Sequence, residues 1–130
     1  MNELRVIRAG QLSAETSQSA GMSRRAAVSG ELVGARALWM GETRVAPSTA
    51  SQPHHHGQSE TGIYVVSGTP AFAFRNERGE LVRLETRPGD YVYVPPAVPH
   101  IEENPSPDED AVVVIARTTQ EAIVVNLNVL

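Results

Sequence analysis

The spacing of apolar and polar residues changes character at about Gly34. Beyond it, short runs of β-branched and aromatic residues alternate with Gly and Pro, which is the pattern of an all-β domain. The runs predict strands at Ala35–Met40, Thr43–Ala46, Ile63–Ser67, Ala71–Arg75, Leu81–Glu85, Tyr91–Val94, Ala111–Arg117 and Ala122–Leu127. Asn76-Glu77-Arg78-Gly79 separates two of them and reads as a hairpin turn, with Gly79 at the positive-φ position. No long run carries a helical period, and no internal repeat is present. This many short strands over residues 34–130 predict a sandwich or a small barrel.

Residues 1–33 have a different texture. Leu4, Val6 and Ile7 suggest a short strand. Ser13–Ser23 is rich in Ser, Thr, Gly and Gln and reads as a loop or mobile arm. A short helix is expected over Ser23–Ser29. The chain thus divides into an N-terminal arm, 1–33, and a β-barrel, 34–130.

Composition narrows the function classes. At 130 residues the chain is one domain with an ordinary apolar content of 41%. Its net charge is −4, and its 11 basic residues are all Arg without a basic run. Nucleic acid is therefore not an expected partner. The absence of Cys excludes disulfides, thiolate metal sites and Cys nucleophiles. The first residues lack the apolar segment of a signal peptide. The longest apolar run, Ala111–Ala116, is far short of the roughly 20 residues that span a bilayer. A soluble cytoplasmic protein is the expectation. Glu102–Asp110 reads as a solvated acidic loop without the ligand spacing of a cation-binding loop.

The chemistry concentrates in the four histidines, His54, His55, His56 and His100. On an extended strand, side chains at i and i+2 share a face. His54 and His56 therefore point inward together and His55 outward. Glu60 follows after Gly57, where a turn can return its carboxylate to the same point. His100 is held in a turn by Pro95, Pro96 and Pro99. Three imidazoles and a carboxylate suit Fe, Mn, Ni, Co or Zn.

These residues resemble the two motifs of the cupin family, a β-barrel family. His54-x-His56, Glu60 and Gly68 follow the first motif, G-x5-H-x-H-x(3,4)-E-x6-G, with two departures. Ser48 replaces the leading Gly, and seven residues rather than six separate Glu60 from Gly68. Counting back six places Thr61, a poor ligand, in the carboxylate position, so Glu60 with a bulge near Gly62 is the expected reading. Gly89, Pro95, His100 and Asn104 follow the second motif, G-x5-P-x-G-x2-H-x3-N, with Ala97 in place of its inner Gly.

The resemblance implies an antiparallel double-stranded β-helix, the jelly-roll barrel. It also implies one divalent transition metal (Fe, Mn, Ni or Zn) on His54, His56, Glu60 and His100. A homodimer is implied too, with the 1–33 segment as the element crossing between subunits. The expected function is that of a metal-dependent enzyme on a small organic molecule, most simply a dioxygenase. A non-redox isomerase, epimerase or lyase and a non-catalytic small-molecule binder are the alternatives.

The aromatics Trp39, Tyr64, Phe72, Phe74, Tyr91 and Tyr93 are expected in the core, where some of them can line a pocket. Arg24, Arg36, Arg44, Arg75, Arg83 and Arg117 lie in or near strands. Most are expected to face solvent, and one facing inward would signal carboxylate or phosphate recognition.

Overall fold

The computed structural model describes residues 3–130. Eleven strands form two antiparallel sheets that face each other. They are β1 (Met22–Val28), β2 (Trp39–Val45), β3 (Thr49–Ala50), β4 (His54–His55), β5 (Thr61–Ser67), β6 (Ala71–Arg75), β7 (Leu81–Glu85), β8 (Tyr91–Val94), β9 (His100–Asn104), β10 (Ala111–Arg117) and β11 (Val125–Asn126). One sheet runs in the order β1-β2-β10-β5-β8. The other runs β11-β4-β9-β6-β7, with β3 also paired to β9. The expected all-β jelly-roll barrel is therefore present.

The interior follows the period-2 rule. On β2, Trp39, Gly41, Thr43 and Val45 are buried and the residues between them are more exposed. Ile63, Val65, Phe72, Val94 and Val113 form the main core, and Met22, Val45 and Ala111 a second cluster. Each large apolar side chain buried this way contributes about 1.5–3 kcal/mol.

Several expectations are corrected. The predicted Ala35–Met40 and Thr43–Ala46 strands are a single strand, β2, because Gly41 lies inside an unbroken ladder with β10. Ser23–Ser29 is not a helix. Ser23–Val28 belongs to β1, in which Met22, Arg24 and Ala26 share the less exposed face, and which pairs along β2 from Met22↔Val45 to Val28↔Met40. The arm thus supplies a strand to the barrel of its own chain. Leu4, Val6 and Ile7 form no strand, and Leu4 and Val6 lie exposed. Among the described residues the one α-helix is the four-residue α1 (Gly30–Val33), capped by Ser29, whose side chain accepts from the Leu32 N–H. His100 opens a strand, β9, that Pro-rich flanks and acidic residues hid from pattern reading. At the C-terminus only Val125–Asn126 is strand.

Both motif departures from Gly carry a backbone signature. Among the described residues, Ser48 (φ 53°) and Ala97 (φ 60°) are the non-Gly residues with positive φ. The left-handed turns that the family fills with Gly are kept here, with a Cβ added at each.

Candidate metal centre

Strand register builds the site. His54 and His100 are direct partners across β4 and β9, and His56 follows two residues after His54. Their ring centroids lie 4.5 Å apart for His54–His100, 4.8 Å for His54–His56 and 5.1 Å for His56–His100. One ligating nitrogen from each lies within 4.8 Å of the other two.

Each ring is oriented by a backbone carbonyl. His54 Nδ1 meets the Gln52 oxygen at 2.7 Å, His56 Nδ1 the Ile123 oxygen at 2.8 Å and His100 Nδ1 the Val98 oxygen at 3.0 Å. A carbonyl only accepts, so each Nδ1 carries the hydrogen and each Nε2 keeps its lone pair. Burial lowers the pKa of all three imidazoles, that of His100 to about 4. Near neutral pH they are uncharged donors. Three neutral, oriented imidazoles with free Nε2 atoms fit a divalent transition metal. His55 does not belong to the group. Its Nδ1 accepts from the Gly57 N–H at 3.1 Å, and its side chain stands on the opposite face, as expected.

The structure does not bring Glu60 to the imidazoles. The ladder from Thr61↔Val94 to Tyr64↔Tyr91 is unbroken, so the expected bulge near Gly62 is absent. Thr61 consequently faces inward and is buried, and Glu60 faces out. The Glu60 carboxylate instead accepts from the Tyr93 hydroxyl at 2.7 Å, which raises the pKa of that phenol.

The imidazoles open into a cavity of about 500 Å³. Ile63, Val94, Ile115, Ile123 and other aliphatic residues line one part of it. None of the aromatic residues does. Phe72 and Trp39 are core, whereas Tyr91 and Tyr93 are 80% and 61% exposed on the outer face of β8, contrary to expectation.

Three charged residues also line the cavity: Arg24, Glu102 and Arg117. Glu102 stands two residues beyond His100 on the same face of β9, so the predicted acidic loop begins as an interior strand. Its Oε1 is buried without a hydrogen-bond partner, and burial raises its pKa, with Arg24 opposing. Arg24 and Arg117 are the inward-facing members of the six strand-associated arginines. Arg117 lies 4.0 Å over the Trp39 ring and donates to the carbonyls of Thr119 and Gln120. The period-2 count along β9 would have found Glu102; Arg24 carries no sequence signal, because its place opposite Thr43 exists only once β1 pairs with β2.

A cupin-domain family model matches residues 41–116, more than half of the chain. The chain belongs to the cupin family. Several solved structures share its fold at low identity. An oxalate decarboxylase aligns at 24% identity and a TM-score of 0.72 over 85% of this chain and 29% of that one. The Bacillus subtilis oxalate decarboxylase, a protein with Mn(II) centres, aligns at 21% identity and a TM-score of 0.72, over 89% of this chain and 30% of that one. This cupin therefore spans under a third of those enzymes. Peruvianin-I, a cysteine peptidase from Thevetia peruviana latex, aligns at 14% identity and a TM-score of 0.74, over 96% of this chain and 78% of that one. This cupin has no Cys, and the likeness is one of fold. Among curated proteins, none matches the sequence.

Proposed function

We propose that this cupin is a metal-dependent enzyme acting on a small organic molecule, with one divalent ion (Fe, Mn, Ni or Zn) on His54, His56 and His100. The observation that carries the reading is the convergence of three carbonyl-oriented, neutral imidazoles on one cavity. When bound, such an ion polarises a coordinated substrate oxygen and, if it is iron, opens oxygen chemistry.

The chain's own residues supply the rest. The imidazoles fix the ion at one end of the cavity. Ile63, Val94, Ile115 and Ile123 exclude water around the substrate. Glu102 can hold a proton inside the cavity, because burial favours its neutral form.

A dioxygenase needs adjacent open positions for substrate and oxygen, which a three-imidazole set leaves. A non-redox lyase or isomerase needs a group that moves a proton, and the placement of Glu102 favours this second reading. The fold likeness to oxalate decarboxylases is in keeping with it. The pairing of two copies is part of the same proposal; it is supported by Tyr91 and Tyr93 lying exposed on β8 at a sheet edge.

The deciding experiment is elemental mass spectrometry of untagged protein purified without oxygen, followed by turnover screens with and without O2. About one ion per chain is expected. Oxygen uptake with organic acids would select the dioxygenase, and anaerobic turnover the lyase or isomerase. No ion after reconstitution would overturn the proposal.

A further inference from the structure

Arg24 sits in the middle of β1, and its register partner is Thr43 of β2. Met22 and Ala26, two residues to either side, are buried, so the Arg24 side chain runs into the barrel. A guanidinium has five N–H donors and stays charged. Only two contacts use them: Nη1 donates to Ser19 Oγ at 2.9 Å, and Nη2 approaches Met22 Sδ at 3.8 Å. Among the described residues, no carboxylate lies within ion-pair distance of Arg24.

Its surroundings compound the imbalance. Arg117 lines the same cavity and likewise has no ion-pair partner among the described residues. Glu102, the one carboxyl lining the cavity, makes no ion pair with either arginine and leaves Oε1 without a hydrogen-bond partner. Glu102 lies near enough to favour the charge of Arg24 but makes no ion pair with it; a half-buried cation without a directly bonded counter-charge is costly, and the unsatisfied Glu102 oxygen in the same cavity adds to the cost. One bound molecule removes both defects if it brings an anionic group to Arg24 and a second oxygen to Glu102.

We infer that the substrate of this site is a small hydroxy- or keto-carboxylate. Its carboxylate pairs with Arg24, and an oxygen on the neighbouring carbon reaches Glu102 and the imidazole end of the cavity. The inference rests on the metal-enzyme reading and deepens it by naming a substrate class. Arg24 is a binding residue in it. The N-terminal segment is part of the substrate site, because Gln18 and Ser19 line the cavity beside Arg24.

The test is calorimetric titration of Zn(II)-loaded protein with lactate, pyruvate and glycolate, and with lactamide as the uncharged control. Zinc content is measured independently for each sample. At least one of the carboxylates is expected to bind, with lactamide about tenfold or more weaker, the worth of a charge-assisted hydrogen bond. Arg24→Gln should erase that difference at unchanged zinc content, and Arg24→Lys should restore part of it. Equal binding of lactate and lactamide, no binding of any carboxylate, or undiminished discrimination in Arg24→Gln would each overturn the inference. The lactate–lactamide comparison in the unaltered protein holds even if the variants misfold. Loss of zinc from the unaltered protein would instead strike the metal-enzyme reading.

Discussion

His56 Nδ1 donates to the carbonyl oxygen of Ile123, 2.8 Å away and 67 residues further along the chain. A ring near the middle of the sequence is thus oriented by the C-terminal segment. Outer hydrogen bonds of this kind are worth about 10–100-fold in metal affinity. Removing residues 121–130 is expected to weaken zinc binding by about that factor, with the far-UV circular dichroism of the barrel retained. A competition titration against a chromophoric chelator measures it.

The ligand set itself predicts a pattern of losses. His54→Ala, His56→Ala and His100→Ala should each remove most of the bound metal. His55→Ala should lose little, because that Nδ1 is already occupied by the Gly57 N–H. Metal content by elemental mass spectrometry decides. Loss in His55→Ala with retention in His54→Ala would reverse the register.

Glu60→Gln separates the carboxylate from the site. Metal stoichiometry should not change, because the Glu60 side chain faces Tyr93 and not the imidazoles. The phenol of Tyr93, held high by Glu60, should titrate closer to the ordinary tyrosine value, as followed by ultraviolet absorbance. Loss of metal in Glu60→Gln would restore Glu60 to the ligand set.

Stability should depend on pH in a defined window. The folded pKa of His100 is depressed from 6.5 to about 4. Between those values the unfolded chain binds a proton that the folded chain refuses, so metal-free stability falls as pH drops, by an amount on the order of 3 kcal/mol. Glu102 works in the opposite sense. Its raised pKa means that its contribution is present below the ordinary carboxyl value and is lost as pH rises. Urea unfolding of the metal-free protein across pH, with Glu102→Gln as comparison, checks both signs: Gln should remove the alkaline loss and leave the acid one.

The two positive-φ residues offer a stabilisation test. Ala97→Gly and Ser48→Gly each relieve a left-handed strain of about 1–2 kcal/mol while adding about 0.5–1 kcal/mol of unfolded-state entropy. Each should therefore raise Tm slightly in a thermal melt. A lower Tm in Ala97→Gly would mean that its N–H bond to the Gly57 carbonyl (2.7 Å) depends on the methyl-bearing residue.

What could be read in advance follows the physics of local signals. Strands β6, β7, β8 and β10 were legible residue for residue, because β-branched and aromatic runs stand between turn formers. β9 was not, since His100-Ile101-Glu102-Glu103-Asn104 buries polar side chains that normally mark loops. The histidines were legible by spacing. For Glu60 the count from Gly68 and the preference for a carboxylate pointed to adjacent residues; the pairing of β5 with β8, unshifted over Thr61–Tyr64, turns Thr61 inward, and the one irregularity of β5 lies at Val66, in its pairing with β10. The inward turn of Arg24 was hidden, since nothing local distinguishes it from Arg25, which pairs with Glu42 on the outside.

The cross-strand pairing of His54 with His100 has a consequence for how the chain acquires an ion. An unfolded chain already carries three consecutive imidazoles within reach of one another, so it can capture a cation locally. His100 joins only when β4 and β9 come together across 46 positions of sequence. The stabilisation gained from an ion is then the difference between the finished site and that local trap, less than the full binding free energy. At high zinc concentration the refolding chain has to release or reposition an ion it seized early, and added metal should slow folding even where it strengthens the folded state.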